Sequence, residues 1–133
     1  MTPPRHSDMM IKVCGNRDAA NIESVAALTP MLMGFIFYRH SPRNACSLDP
    51  ELIRNLPEYI RPVAVFVNDD DDTILDICIR YGFRIIQLHG DEAPEQCRRL
   101  RDRGLVVIKA IGVDDDLDWN TLAISRMCRY VSV

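Results

Sequence analysis

The stretch Met10-Ile11-Lys12-Val13-Cys14-Gly15 decides the fold: an apolar run that closes on a thiol and a glycine, with a polar turn behind it. A run this short, ended by Gly and followed by a helical pattern, predicts a buried parallel strand with Cys14 at its carboxyl end. In α/β proteins that end is where ligands bind, whether the sheet is open or closed. Cys14 is therefore the first candidate for chemistry, although a free cysteine more often serves as a small buried hydrophobe.

Outward from this strand the same alternation continues. After Asn16-Arg17-Asp18, the residues Ala19, Ile22, Val25 and Ala26 fall at helical spacing with Asp18 as cap, which predicts a helix that stops before Pro30. Met31 to Phe37 predicts a second strand, and Asp49-Pro50-Glu51 opens a second helix whose buried side is Leu52, Ile53 and Leu56. The β-branched run Val63 to Val67 predicts strand three. Ile74, Ile77, Cys78 and Tyr81 then predict a third helix, with Gly82 as its stop. Ile85 to Leu88 is strand four, Ala93, Cys97 and Leu100 mark a fourth helix before Gly104, and Leu105 to Ile111 is strand five. A fifth helix can start after Asp114, and Tyr130 to Val133 offers a sixth strand. Strand-then-helix units recurring about every 20 to 30 residues imply a parallel sheet with right-handed crossovers, so the expected class is α/β.

Composition narrows the function. The chain has 133 residues, 47% of them hydrophobic and 26% charged, which is one globular domain's worth of core. Sixteen basic and 19 acidic side chains leave a formal charge of −3, the wrong sign for a nucleic-acid or anionic-membrane surface. Cysteines at 14, 46, 78, 97 and 128 form no C-x-x-C pair, the usage of reduced thiols, and the scattered His6, His40 and His89 propose no zinc site. No stretch reaches the roughly 20 apolar residues of a membrane span and residues 1–8 lack a signal-peptide core, so a cytoplasmic protein with a loose N-terminal arm is expected.

Parallel strands would gather Cys14, Phe37-Tyr38, Asn68, His89 and Gly112 on one rim, with Arg43 arriving from the loop after strand two. A thiol, an imidazole and a guanidinium there suit a small carboxylate or phosphate ligand and proton transfer. A thiol with the reference pKa near 8.5 is only about 3% thiolate at pH 7, and the first turn of helix one and Arg17 are the candidate aids. Asp69-Asp70-Asp71-Asp72 invites a Mg²⁺ reading, but acidic residues at a helix N-terminus are ordinary helix-dipole partners. No metal or cofactor is expected, and G-x-G-x-x-G, P-loop and G-x-S-x-G motifs are all missing.

Lys12-Val13-Cys14-Gly15, Gly34-Phe35-Ile36-Phe37-Tyr38 with Ser41-Pro42-Arg43, Val65-Phe66-Val67-Asn68, Gln87-Leu88-His89-Gly90-Asp91-Glu92 and Val107-Ile108-Lys109-Ala110-Ile111 occur in the order and spacing of one family. Over residues from about 10 to about 113 the chain resembles phosphoribosylanthranilate isomerase, the (β/α)₈ enzyme of tryptophan biosynthesis that performs an Amadori rearrangement of an aminoaldose. The resemblance implies a TIM-barrel type of fold, cut short after about five units, with residues 9–123 as a partial barrel. It implies Cys14 as general base, Arg43 facing the anthranilate carboxylate, and Gln87 and His89 lining the pocket of a phosphorylated sugar-anthranilate substrate.

The family's general acid is an aspartate ending strand six, and its phosphate site is made by glycine-rich loops after strands seven and eight. Residues 124–133 depart from that pattern as an atypical tail, a remnant of strand six without the aspartate, so little or no isomerase activity is expected of these 133 residues. A full barrel takes about 200 residues or more and packs its interior with side chains from all eight strands. Partial uncovering of about ten inward side chains, at about 1.5–3 kcal/mol each when fully buried, could cost about 15 kcal/mol, so self-association through the open sheet face or an edge is expected. Two other readings compete. A response-regulator type of open α/β signalling module would use Asp69 and Lys109 but needs an acidic pair where Cys14-Gly15-Asn16 stands, and a degenerate half-barrel would have a purely structural role.

Overall fold

The computed structural model describes residues 11–110 and 130–132; the arm over residues 1–8, Gly112 and the helix expected after Asp114 lie outside them. The elements run β1 (Lys12–Val13), α1 (Ala19–Ala26), β2 (Leu32–Ile36), α2 (Pro50–Arg54), β3 (Arg61–Phe66), α3 (Asp71–Tyr81), β4 (Ile85–Leu88), α4 (Pro94–Asp102), β5 (Val106–Ala110) and β6 (Tyr130–Ser132). Asp18 and Asp49 are the caps expected, and Asp70 is the one of the four aspartates that caps α3. Asp18 accepts from the Asn21 amide at 2.8 Å, Asp49 from Glu51 at 3.0 Å and Asp70 from Thr73 at 2.7 Å. At the other end of α3, Gly82 turns left-handed at φ 80° and its N–H returns to the Cys78 carbonyl.

All pairings are parallel, and the strand order is β1-β2-β3-β4-β5-β6, each strand beside its sequence neighbour. That order is the winding of a barrel. An open signalling domain of response-regulator type needs the order 2-1-3-4-5, so that alternative is set aside. Its lysine is otherwise engaged as well, since Lys109 pairs with Glu92.

Registers such as Gly34↔Val63↔Ile85↔Val106 divide each strand into two alternating sets of side chains. One set, Met33, Phe35, Phe37, Ala64, Phe66, Ile86, Leu88 and Val107, is buried with Ile22, Ile53, Ile74, Cys78, Cys97 and Leu100 from the helices. Phe37 is central to it, with ring centroids 5.0 Å from Tyr81, 5.6 Å from Phe83 and 5.9 Å from Phe66. The other set, with Lys12, Gly34, Val63, Val65, Gln87 and Ile108, forms the opposite face. There the Lys12 ammonium donates to the Gln87 carboxamide oxygen, although three strand spacings of about 4.8 Å separate β1 from β4. Side chains that stand off a flat sheet would not meet over that span, so this face is concave.

The curl changes one expectation. An inward set in a barrel cut short should lose much of its cover; Val63, Val65, Gln87 and Ile108 are buried, while Leu32, Ile36, Ile85, Val106 and Ala110 of the same set are half-buried. The loss of cover therefore falls on part of the inward set only.

The loops at the carboxyl ends of β3 and β4 are tied together by one buried carboxylate. Glu92 accepts from the backbone N–H of Asn68 at 2.9 Å and of Gly90 at 2.7 Å, and from Lys109 Nζ at 2.8 Å. Lys109 also donates to the Gly90 carbonyl at 2.5 Å, and Asn68, at φ 54°, accepts the Asp91 amide. Burial pushes the Glu92 carboxyl up, but Lys109 and the backbone amides of Asn68 and of Glu92 itself outweigh it and hold the group below its ordinary value. No helix among the described residues is long and apolar enough to cross a membrane.

Two outcomes follow for stability. A depressed carboxylate stabilises the fold above its unfolded pKa and loses that contribution as pH falls through the folded one. Urea melts should therefore show stability dropping below about pH 4.5, and Glu92→Gln should flatten that acid limb. Lys109→Met, which leaves the buried carboxylate without its cation, should cost about 3–5 kcal/mol at neutral pH. In the core, Phe37→Ala should cost about 3–5 kcal/mol by the same melts, a loss under 1 kcal/mol being incompatible with this packing.

Candidate active site

Cys14 follows β1 in the phase of Lys12, and both side chains stand over Gly34 of β2. A methyl group at Gly34 would lie 2.7 Å from Cys14 Sγ and 3.0 Å from Lys12 Cε, closer than non-bonded atoms approach. Glycine is therefore the residue that admits the thiol to the concave face, where Cys14 is exposed. Gly15 does a similar service for Arg43. It takes φ 83°, and a Cβ there would sit 3.0 Å from Arg43 Nη1 and 3.3 Å from Cζ. The guanidinium thus lies against the residue next to the thiol.

The turn that presents Cys14 is held from inside. Asn16, 1% exposed, donates its side-chain amide to the Val13 carbonyl at 2.9 Å and to the Gly34 carbonyl at 3.0 Å. Its backbone N–H also donates to the Gly34 carbonyl at 3.3 Å, so this one residue fastens the end of β1 to the middle of β2. Arg17, a candidate aid to the thiol, is turned elsewhere, and its Nη1 donates to the Pro42 carbonyl at 2.6 Å. This straps the loop after β2, whose Ala45 amide also returns to the Ile36 carbonyl at 2.6 Å, and so fixes where Arg43 starts.

Gln87 lies on the same concave face, 5% exposed, with its amide oxygen turned to Lys12. His89 comes two residues later at the end of β4, exposed, with its backbone N–H on the Phe66 carbonyl at 2.9 Å. The structure thus brings Cys14 and Arg43 together and sets Gln87 and His89 farther round the same end of the sheet. Among the described residues no hydrogen bond or ion pair joins His89 to Cys14 or Arg43. The six described strands contain no Asp or Glu, so the thiol shares its face with the cations Lys12 and Arg43 and an amide. Such a mouth accepts a carboxylate or phosphate and offers a thiol for proton abstraction.

Lys12, Asn16, Glu92 and Lys109 are the residues whose roles sequence reasoning misses. Lys12 is visible as a charge inside an apolar strand, and Glu92 as an acid closing the run from Gln87. Asn16 carries no distinguishing signal beyond following Gly15.

The family model for N-(5'-phosphoribosyl)anthranilate (PRA) isomerase matches residues 11–132. The N-(5'-phosphoribosyl)anthranilate isomerase of Phocaeicola vulgatus is 43% identical over 110 residues, covering 83% of this chain and 52% of that protein. The Thermotoga maritima protein of the same name is 37% identical over 113 residues, covering 81% and 53%. Among solved structures, phosphoribosyl anthranilate isomerase from Thermotoga maritima superposes with a TM-score of 0.76 at 28% identity, over 94% of this chain and 62% of that one. The Thermus thermophilus enzyme gives 0.74 at 25% identity, over 83% and 55%. The chain spans about half the length of the curated relatives it matches. With the winding, the thiol over Gly34 and the family match in agreement, the chain belongs to the phosphoribosylanthranilate isomerase family.

Proposed function

We propose that this chain carries the base side of the phosphoribosylanthranilate isomerase reaction, the Amadori rearrangement of an N-glycosylated anthranilate to a 1-amino-1-deoxyketose phosphate. The observation that carries the reading is Cys14 Sγ seated over Gly34, with the Arg43 guanidinium against Gly15. Ring opening of the aminoaldose, with the ring oxygen taking a proton as the C1–O bond breaks, gives a protonated imine at C1. Cys14 removes the proton from C2, and the C–H electron pair forms a C2=C1 bond while the C1=N electrons return to nitrogen. The resulting enolamine tautomerises to the C2 ketone, so no oxidant or reductant is consumed. Arg43 pairs with the anthranilate carboxylate, and Gln87 and His89 line the pocket. A relative of known structure was solved in complex with reduced 1-(o-carboxyphenylamino)-1-deoxyribulose 5-phosphate, a ligand with the carboxylate and phosphate this mouth is suited to receive.

The rearrangement also needs an acid to protonate the ring oxygen as it leaves. The six described strands hold no carboxylic acid for that step, so these strands supply the base without its partner. Self-association belongs to the same reading, because β1 and β6 are the outer strands of the described sheet and an unpaired edge is a template for pairing.

Fluorescence decay of phosphoribosylanthranilate, followed with this chain at high protein concentration, should be slow and should fall by about 10²–10⁴-fold, to background, in Cys14→Ala. Equal rates for the two proteins would remove Cys14 from the mechanism. Gly34→Ala should displace the thiol, and iodoacetamide labelling of Cys14 should change by several-fold; an unchanged labelling rate would contradict the close approach. In sedimentation velocity the chain should run as a dimer or larger species, and a monodisperse monomer with a cooperative melt would eliminate the self-association.

A further inference from the structure

A second cavity, of about 410 Å³, opens on the other side of the sheet from Cys14, between the carboxyl ends of β2 and β3 and α3 along its length from Thr73 to Tyr81. It shares no residue with Cys14, Arg43, Gln87 or His89. Its apolar wall is Phe37, Tyr38, Ile77 and Tyr81, and its charged groups include Asp69 and Arg39. The volume is in the range of small-molecule sites.

Neither of these two charged side chains has a hydrogen-bonding partner among the described residues. Asp69 is half-buried, and only its backbone carbonyl is used there, accepting from Gln96 Nε2 at 2.8 Å. Arg39 is exposed at the cavity mouth and makes no hydrogen bond or ion pair among the described residues, whereas Arg80, at the same cavity, has Asp76 at 3.6 Å. Burial, then Asp70 and Glu92, push the Asp69 carboxyl up, while Arg39 acts against them. A half-desolvated carboxylate without a donor is costly, and a ligand that brings a donor repays that cost. A simple anion would satisfy Arg39 and be repelled by Asp69, and a simple amine would do the reverse. A ligand carrying both charges on adjacent atoms, with an apolar remainder, satisfies all three walls together.

We propose that this cavity binds an α-amino acid with a bulky apolar side chain, its ammonium on Asp69, its carboxylate on Arg39 and its side chain against Phe37, Tyr38 and Tyr81.

The test is calorimetric titration of the 133-residue chain with L-phenylalanine, beside 3-phenylpropionate, which lacks the ammonium, and phenethylamine, which lacks the carboxylate. L-Phenylalanine should bind, and each single-charge analogue should bind at least about tenfold more weakly, the loss expected for one charged hydrogen-bond partner. Asp69→Asn and Arg39→Met should each weaken L-phenylalanine by about the same factor. Cys46, whose side chain lines this cavity, supplies a readout that needs no variant. L-Phenylalanine should slow its modification by a maleimide several-fold and leave Cys14 unaffected. Absence of binding and protection at millimolar L-phenylalanine would overturn the proposal, as would equal binding of the analogues or full affinity in both variants.

Discussion

The burial of one alternate set of strand side chains beneath the helices is the constraint from which the rest of the molecule follows. Met33, Phe35, Phe37, Ala64, Phe66, Ile86 and Leu88 are each almost wholly removed from water. Burying residues of this size is worth about 1.5–3 kcal/mol apiece, and a slip of one residue in register would turn the whole set toward the other face. That penalty leaves the opposite phase to Lys12, Cys14, Gly34 and Gln87. Chemistry can be placed there because the energetic work of folding is done on the other side.

Within that frame the site depends on small adjustments of backbone. Gly34 supplies the room for a thiol, Gly15 the left-handed turn and the space beneath Arg43, and Asn16 a bond from the end of β1 to the middle of β2. Glu92 does for β3 and β4 what Asn16 does for β1 and β2, with Lys109 neutralising the charge that such a bridge requires. In each case a polar side chain bonds the backbone of two neighbouring strands or of the loops that follow them.

Much of this is legible in the sequence because the signals are local. The caps Asp18 and Asp49, the stop at Gly82 and the β-branched strand three are each determined by residues within a turn of one another, whereas which of the four aspartates caps α3 is not, and it is Asp70. The parallel arrangement is legible in the recurring strand-then-helix units. Long-range pairs are not. Nothing in the local sequence says that Lys12 meets Gln87 75 residues away, that Arg17 turns to Pro42, or that Glu92 and Lys109 neutralise each other. The concave face is less exposed than the sequence suggests, because curvature is a property of the whole sheet and no single strand encodes it.

Sequential strand order also bears on how the chain is made. Every strand from β2 to β5 finds its first hydrogen-bonding neighbour in the strand just before it, separated by a single connection. Contacts that are close in the chain are cheap to close and quick to form. As the polypeptide leaves the ribosome, each new strand therefore has its docking edge already synthesised, and assembly can proceed from the first residues onward without waiting for the last.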